Sequence, residues 1–399
     1  MSAALHDVVI SADSHVGEPD AIRPYFPKDM RDKLPEFRQG DDGHFRIYVD
    51  GVEREGALKK ACNEVDLMKE FRLDPALGTD IDRLYRDMAL EGVDASVIFP
   101  NIGLACSRGN DDAAYYHAWA RAHNDFVWDV FGPVHHRLKP AAMLAVDDID
   151  EMLKEARRSL DRGFCTLFVP ANVPWLPYRA KEYEPLWEMA EEAGIPITFH
   201  IFSGNLAFDA DFIDLGAMND ERIAAYRTYV ENDDEEYEHL NATVTGMLAG
   251  MSPIVELTGS GILERHPNLK MVVTECECGW LAWVLHAMDQ MQRQRHLGMK
   301  PLKLKPSEYF LRQGAITITD DPIALHNVPF TGTDVLLWGN DYPHDEGSFP
   351  ESAKHIQTIR DTLTPEQAHH VLCGNAARLY GFDLDQLQVT RDEVTRHAV

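Results

Sequence analysis

The chain has 399 residues, 45% hydrophobic and 9% aromatic, with 38 Lys and Arg against 66 Asp and Glu. A formal charge of −28 repels phosphate backbones and excludes nucleic acid as the expected partner, and the apolar fraction excludes disorder for the chain as a whole. No apolar run approaches the roughly 18 residues of a membrane span, and the first residues lack the basic and apolar regions of a signal peptide. A soluble, cytoplasmic protein acting on a small molecule is expected.

Short apolar runs ending in polar residues recur along the chain. They are continuous rather than alternating, the pattern of parallel strands buried on both faces. In chain order they are Val8–Ala12, Ala95–Phe99, Ala141–Ala145, Cys165–Val169, Ile195–Phe199, Met271–Thr274, Ala315–Ile318 and Val335–Trp338. Between them lie helical patterns at Asp111–Phe131, Ile149–Arg162, Pro185–Ala193, Leu281–Arg295, Pro350–Leu363 and Pro365–Tyr380; Gly163 and Gly194 supply stop signals. Strands alternating with helices in this number predict a (β/α)8 TIM barrel. The surplus falls in insertions after strands 1 and 5, near residues 20–88 and 205–250. The first holds a hairpin pattern, His44–Gly51, and the second is acidic. One domain with excursions is the expected organisation, residues 1–399.

The six cysteines form no framework, and Cys276 and Cys278 are too closely spaced for a zinc ribbon, so free thiols are expected. The acids and histidines are more telling. Asp13 and His15 follow the first run on one side of the chain, because strand side chains alternate. His200 ends the fifth run, Glu275 the sixth and Asp341 the eighth. Strand C-termini of a barrel surround one mouth, so these residues meet there. Mixed carboxylate and imidazole donors suit Zn, Fe or Mn as divalent ions.

Several segments carry a family likeness: Asp13-Ser-His15 with Val16-Gly-Glu-Pro19, Pro196-Ile-Thr-Phe-His200, and Leu263–Lys270 followed by Val273–Trp280. Trp338-Gly-Asn-Asp-Tyr-Pro-His344 and Gly374-Asn-Ala-Ala-Arg-Leu-Tyr-Gly381 complete it. Together they resemble the amidohydrolase-related family, the branch of the amidohydrolase superfamily that includes aminocarboxymuconate-semialdehyde and γ-resorcylate decarboxylases. The resemblance implies that Asp13 and His15 stand where the family's His-x-His or Glu-x-His pair binds metal. It implies that His200 is a ligand, and that Asp341 both binds metal and moves a proton. One departure is larger than the Asp at position 13. The decarboxylases carry a catalytic His at the end of strand six, where this chain has Glu275.

The candidate metal set is therefore Asp13, His15, Glu18, His200, Glu275 and Asp341. One ion is expected, with enough ligands for two. Asp341, Glu275 and His344 are the candidate catalytic residues. Two reactions follow. With the strand-six imidazole replaced, metal-activated water attacking an amide, ester, thioester or lactone of a small carboxylated or aromatic substrate is the main expectation. The alternative is non-oxidative decarboxylation of an aromatic or unsaturated acid. Arg179, Arg227, Arg293 and Arg295 are candidate partners for a substrate carboxylate. Asn375 and Arg378 read as supports of the C-terminal helix, and Trp280 and Trp283 as packing for the helix after strand six. The family resembled here implies a homo-oligomer, a dimer.

Overall fold

The computed structural model describes residues 8–17, 20–39, 45–49, 52–54, 79–105, 112–172, 176–204, 244, 246–294, 301–344 and 347–397. Parallel strands occupy eight positions of a TIM barrel. They are β1 (Ile10–Val16), β5 (Ala95–Pro100), β6 with β7 (Leu138–Pro140, Ala142–Met143), and β8 (Leu167–Asn172). β9 (Pro196–Gly204), β10 (Lys270–Thr274), β11 (Gly314–Ile318) and β12 (Leu336–Trp338) follow. A separate antiparallel sheet, β2 (Glu36–Gln39), β3 (Phe45–Val49) and β4 (Val52–Arg54), lies in the first insertion, β3 and β4 forming the expected hairpin. Residues 205–243 of the second expected insertion lie outside the described residues.

Two seams join the barrel strands. β1, β5 and β6 pair in one run, and β12 through β7 in another. Between β6 and β7 the chain itself crosses: Ala141 N–H donates to Ile98 O and Ala142 N–H to Thr166 O, switching partners within one residue. At the other seam, Asp341 N–H donates to Asp13 O at 3.0 Å and His15 N–H to Tyr342 O at 2.6 Å. This seam is tight. A Cβ on Gly339 would stand 2.7 Å from Asp13 Cβ, so only glycine lets the end of β12 approach β1 this closely.

The helices follow their end signals. Helix Ile149–Arg162 starts where the Asp148 carboxylate accepts from Glu151 N–H, and it stops at Gly163, whose φ of 96° is left-handed. Its face of Met152, Ala156 and Ser159 is buried against the barrel. The expected helix Pro365–Tyr380 is present, with one π turn inside it. Helix Pro365–His369 gives way to a π turn, His370–Gly374, before helix Asn375–Tyr380. Asn375 supports the C-terminal helix, as expected, and Arg378 also bonds locally. The Asn375 amide donates to Thr333 O and Leu336 O, tying this helix to the start of β12, and Arg378 donates to Asp334 O and to Asn375 Oδ1.

Some boundaries differ from the sequence pattern. The first strand runs on through Asp13, Ser14 and His15 rather than ending before them, and β9 runs past His200. Both continue through polar residues because neighbouring strands satisfy them. Ser14 Oγ, for example, bonds Ser96 Oγ and Asn340 Oδ1. Trp283, read as packing, is 67% exposed, its helix burying Leu281, Val284, Leu285 and Met288 instead. Trp280 does pack, donating from Nε1 to Cys276 O. No described helix is long and apolar enough to cross a membrane.

Candidate metal centre

Asp13 and His15 lie on β1, His200 on β9, Glu275 directly after β10 and Asp341 after β12, all at the C-terminal end of the barrel. Asp13, His15, His200 and Asp341 are at most 2% exposed. His15 Nε2 stands 3.4 Å from Asp13 Oδ1, 3.1 Å from Asp341 Oδ1 and 3.6 Å from Glu275 Oε2. His200 Nε2 stands 3.4 Å from Asp13 Oδ1 and 3.3 Å from Glu275 Oε2. Donor atoms of Asp13, His15, His200 and Glu275 all lie within 4.8 Å of one another, as do those of His15, Glu275, Asp341 and His344.

The imidazoles are fixed for ligation. His15 Nδ1 is 2.7 Å from Pro100 O, and His200 Nδ1 is 2.9 Å from Ile201 O. A carbonyl oxygen only accepts, so each Nδ1 carries a hydrogen, and in its neutral form each ring turns a bare Nε2 inward. Those Nε2 atoms, both Asp13 oxygens, both Asp341 oxygens and Glu275 Oε2 are buried without a hydrogen-bond partner. Acceptors converge on acceptors. Three buried carboxylates with no Lys or Arg among their ion pairs are costly. A cation shared among these atoms satisfies all of them, so the donor set fits a divalent ion.

Protonation tells the same story. Burial pushes the Glu275 carboxyl well above the usual range, and the charges of Asp341 and Asp13 add to it. Burial also pushes on Asp13 and Asp341, but the neighbouring imidazoles prevail. His200 and His15 hold Asp13 low, and His344 and His15 hold Asp341 well below the usual range. Burial disfavours an imidazolium at His15, yet Asp13, Asp341 and Glu275 together hold its pKa well above normal. The cluster attracts positive charge, and a metal ion and protons compete for it.

The local backbone is strained where these groups turn inward. Glu275 and Asp341 adopt φ of 61° and 52°, in the left-handed region that non-glycine residues rarely occupy. Glu275 is anchored by its N–H, which donates to Thr317 Oγ1 at 2.7 Å. The turn beyond it is held by the segment after β11: Asp321 Oδ2 accepts from Cys278 and Gly279 N–H, and Glu277 from Thr319 and Asp320 N–H.

A model of the family described as amidohydrolase matches residues 41–382. The chain belongs to the amidohydrolase family. Solved structures share its fold at low identity. An amidohydrolase from Mycobacterium avium subsp. paratuberculosis is 19% identical with a TM-score of 0.73, covering 95% of this chain and 100% of that one. A 5-carboxyvanillate decarboxylase from Novosphingobium aromaticivorans, complexed with manganese and 4-hydroxy-3-methoxy-5-nitrobenzoic acid, is 16% identical with a TM-score of 0.67, covering 94% and 96%. A 2,6-dihydroxybenzoate decarboxylase from Rhizobium is 16% identical with a TM-score of 0.63, covering 94% and 98%. No curated protein sequence matches the chain.

In this amidohydrolase the structure brings together Asp13, His15, His200, Glu275, Asp341 and His344. Glu18 lies outside the described residues, as do Arg227 and Arg295. Arg179 pairs with Glu256 at 3.0 Å. His117 is spent locally, its Nε2 accepting from Asp148 N–H, and His123 is buried within helix Ala113–Phe131. Three supporting residues escaped the sequence reading. Asn340, 3% exposed, accepts from Ser11 and Ser14 hydroxyls and donates its N–H back to Ser11 Oγ. Asn101 Oδ1 lies 3.4 Å from His344 Nε2, and Thr317 anchors Glu275. For Asn340 the signal was the polar Gly339-Asn340-Asp341 run directly after an apolar strand; Asn101 and Thr317 carry none.

Proposed function

We propose that this amidohydrolase is a divalent-metal-dependent carboxy-lyase that removes CO2 from a small aromatic or unsaturated acid. The observation that carries it is the buried convergence of bare imidazole Nε2 atoms and unpartnered carboxylate oxygens at the barrel mouth. Asp13, His15, His200 and Asp341 would hold the ion, with Glu275 beside them. A single ion is favoured because the two donor groups share His15 and Glu275. Manganese is the first metal to test, given the manganese-bound decarboxylase of the same fold.

When bound, the ion supplies Lewis-acid charge for the substrate carboxylate and a neighbouring oxygen. Asp341 is placed to manage the proton. Its Oδ1 lies 3.1 Å from His15 Nε2 and 2.9 Å from His344 Nδ1. As the carbon–carboxyl bond breaks, its electron pair stays on the ring or alkene carbon. The proton for that carbon comes from His344, on the more open side, and is passed on through Asp341. The decarboxylases of like fold favour this reaction over hydrolysis. One observation favours hydrolysis as a second reading: a third carboxylate, Glu275, stands where the decarboxylases resembled here have an imidazole. In that case Asp341 would take a proton from water instead.

The test is turnover by manganese-loaded protein of ortho-hydroxylated aromatic acids, read as CO2 release with solvent deuterium entering the vacated carbon. Acids untouched while esters or lactones are cleaved would favour hydrolysis. Purified protein that takes up no divalent metal would remove both readings.

A further inference from the structure

A second constellation of charge lies at the opposite end of the barrel. Lys270 opens β10 while Glu275 follows its last residue, a separation of about 16 Å at ~3.3 Å per residue. There Lys270, Arg312 and Arg378 line one cavity of about 600 Å³, together with Asp334, His369 and His370. In a chain carrying −28, this grouping runs against the overall charge.

The three cations lack acidic partners. None of them forms an ion pair among the described residues, and their hydrogen bonds go to neutral oxygens. Lys270 Nζ donates to Arg312 O at 2.9 Å; Arg312 donates to Gln313 Oε1; Arg378 Nη2 donates to Asp334 O and Asn375 Oδ1. An ammonium has three donors and a guanidinium five, so most of their donors meet no protein acceptor, although Arg312 also lies over the Tyr309 ring. The one carboxylate on the lining, Asp334, is engaged 3.1 Å from His370 Nδ1. Burial, Arg378 and Arg312 all push the Lys270 ammonium below its usual pKa, as mutual repulsion requires. The wall that carries His370 is the π turn His370–Gly374, a helix irregularity that recurs at functional sites. Packing alone calls for neither three gathered cations nor a π turn.

We propose that this cavity is a binding site for a small dianion, a phosphate group or a dicarboxylate, held by Lys270, Arg312 and Arg378. It is independent of the metal centre and of the reaction proposed there. Two negative charges offset most of the repulsion among three cations, and oxygens in a fork suit guanidinium donors.

Calorimetric titration of the metal-loaded full chain with inorganic phosphate, and separately with succinate, tests this. One binding event per chain is expected with at least one of the two, weakened roughly tenfold or more in Arg378→Gln and in Arg312→Gln and weakened further by added salt. Phosphate alone binding identifies a phosphoryl ligand, and succinate alone a carboxylate ligand. Arg378 is exposed, and circular dichroism shows whether each variant keeps its fold. No binding of either anion overturns the proposal. So does an event that survives both arginine variants but disappears in Asp341→Asn, which would place the anion at the metal centre.

Discussion

The His344 ring stacks on that of His15, with centroids 4.0 Å apart and planes inclined by 28°, and its Nδ1 stands 2.9 Å from Asp341 Oδ1. His344 thus touches the candidate donor set from its outer side, its side chain 12% exposed where that of His15 is fully covered. His344→Asn should therefore leave metal content unchanged while lowering kcat by about 10²–10⁴, the usual worth of a positioned proton-transfer group. Metal analysis beside steady-state kinetics reads this. A parallel fall in bound metal would make His344 a ligand instead of a relay.

Glu275 combines a left-handed backbone with a buried carboxyl whose charge is disfavoured. Asn tolerates that backbone and carries no charge. Metal-free Glu275→Asn should be more stable than the native chain by about 1–2 kcal/mol. With manganese present the difference should shrink or reverse, because a ligand binding only the folded state adds stability in proportion to its affinity. Thermal midpoints with chelator and with metal decide it, and equal shifts in both would show that Glu275 does not face the ion.

Asn340 holds the β1–β12 seam through Ser11 and Ser14. Asn340→Ala removes an acceptor that two buried hydroxyls share, although these keep Asp13 O and Ser96 Oγ as partners, and should cost about 1 kcal/mol. Because Asp13 and Asp341 flank this seam, metal affinity should fall as well. Urea midpoints and metal titration report the two effects, and intact affinity at reduced stability would separate seam from site.

The thiols Cys165, Cys276 and Cys278 are unbridged and buried. Burial pushes Cys165 up to about 12 and Cys276 and Cys278 well above the ordinary thiol range. An unfolded thiol ionises near ~8.5. As pH rises past that value the unfolded chain releases protons that the folded chain keeps, so stability is full below it and declines towards the folded pKa. Each thiol contributes up to about 1.4 kcal/mol per pH unit to this decline. Urea midpoints should drop between roughly pH 8.5 and 11, and less steeply in Cys165→Ala. A flat profile would contradict the assigned burial.

Much of this was written in local pattern. Eight apolar runs named the barrel because strands buried on both faces need no alternation, and acids and imidazoles at their ends named the mouth. What stayed hidden depends on partners far away in sequence. β1 continues through Asp13 and His15 because Asn340 and Tyr342 satisfy its polar groups, and Ser11 and Asn340 lie 329 positions apart. The left-handed turns at Glu275 and Asp341 are set by neighbouring strands and not by their own side chains. The π turn at His370–Gly374 interrupts a stretch whose composition reads as plain helix. Trp283 shows the limit of residue type alone, since a tryptophan on a helix next to the barrel faces solvent.

The backbone bonds from Asp341 to Asp13 and from His15 to Tyr342 join the first barrel strand to the last. A chain still being synthesised cannot own this donor set until residue 341 has left the ribosome, by which point all eight strands exist. Completion of the candidate donor set is thereby tied to closure of the barrel: a fragment ending before residue 341 would hold Asp13, His15, His200 and Glu275 but neither Asp341 nor His344.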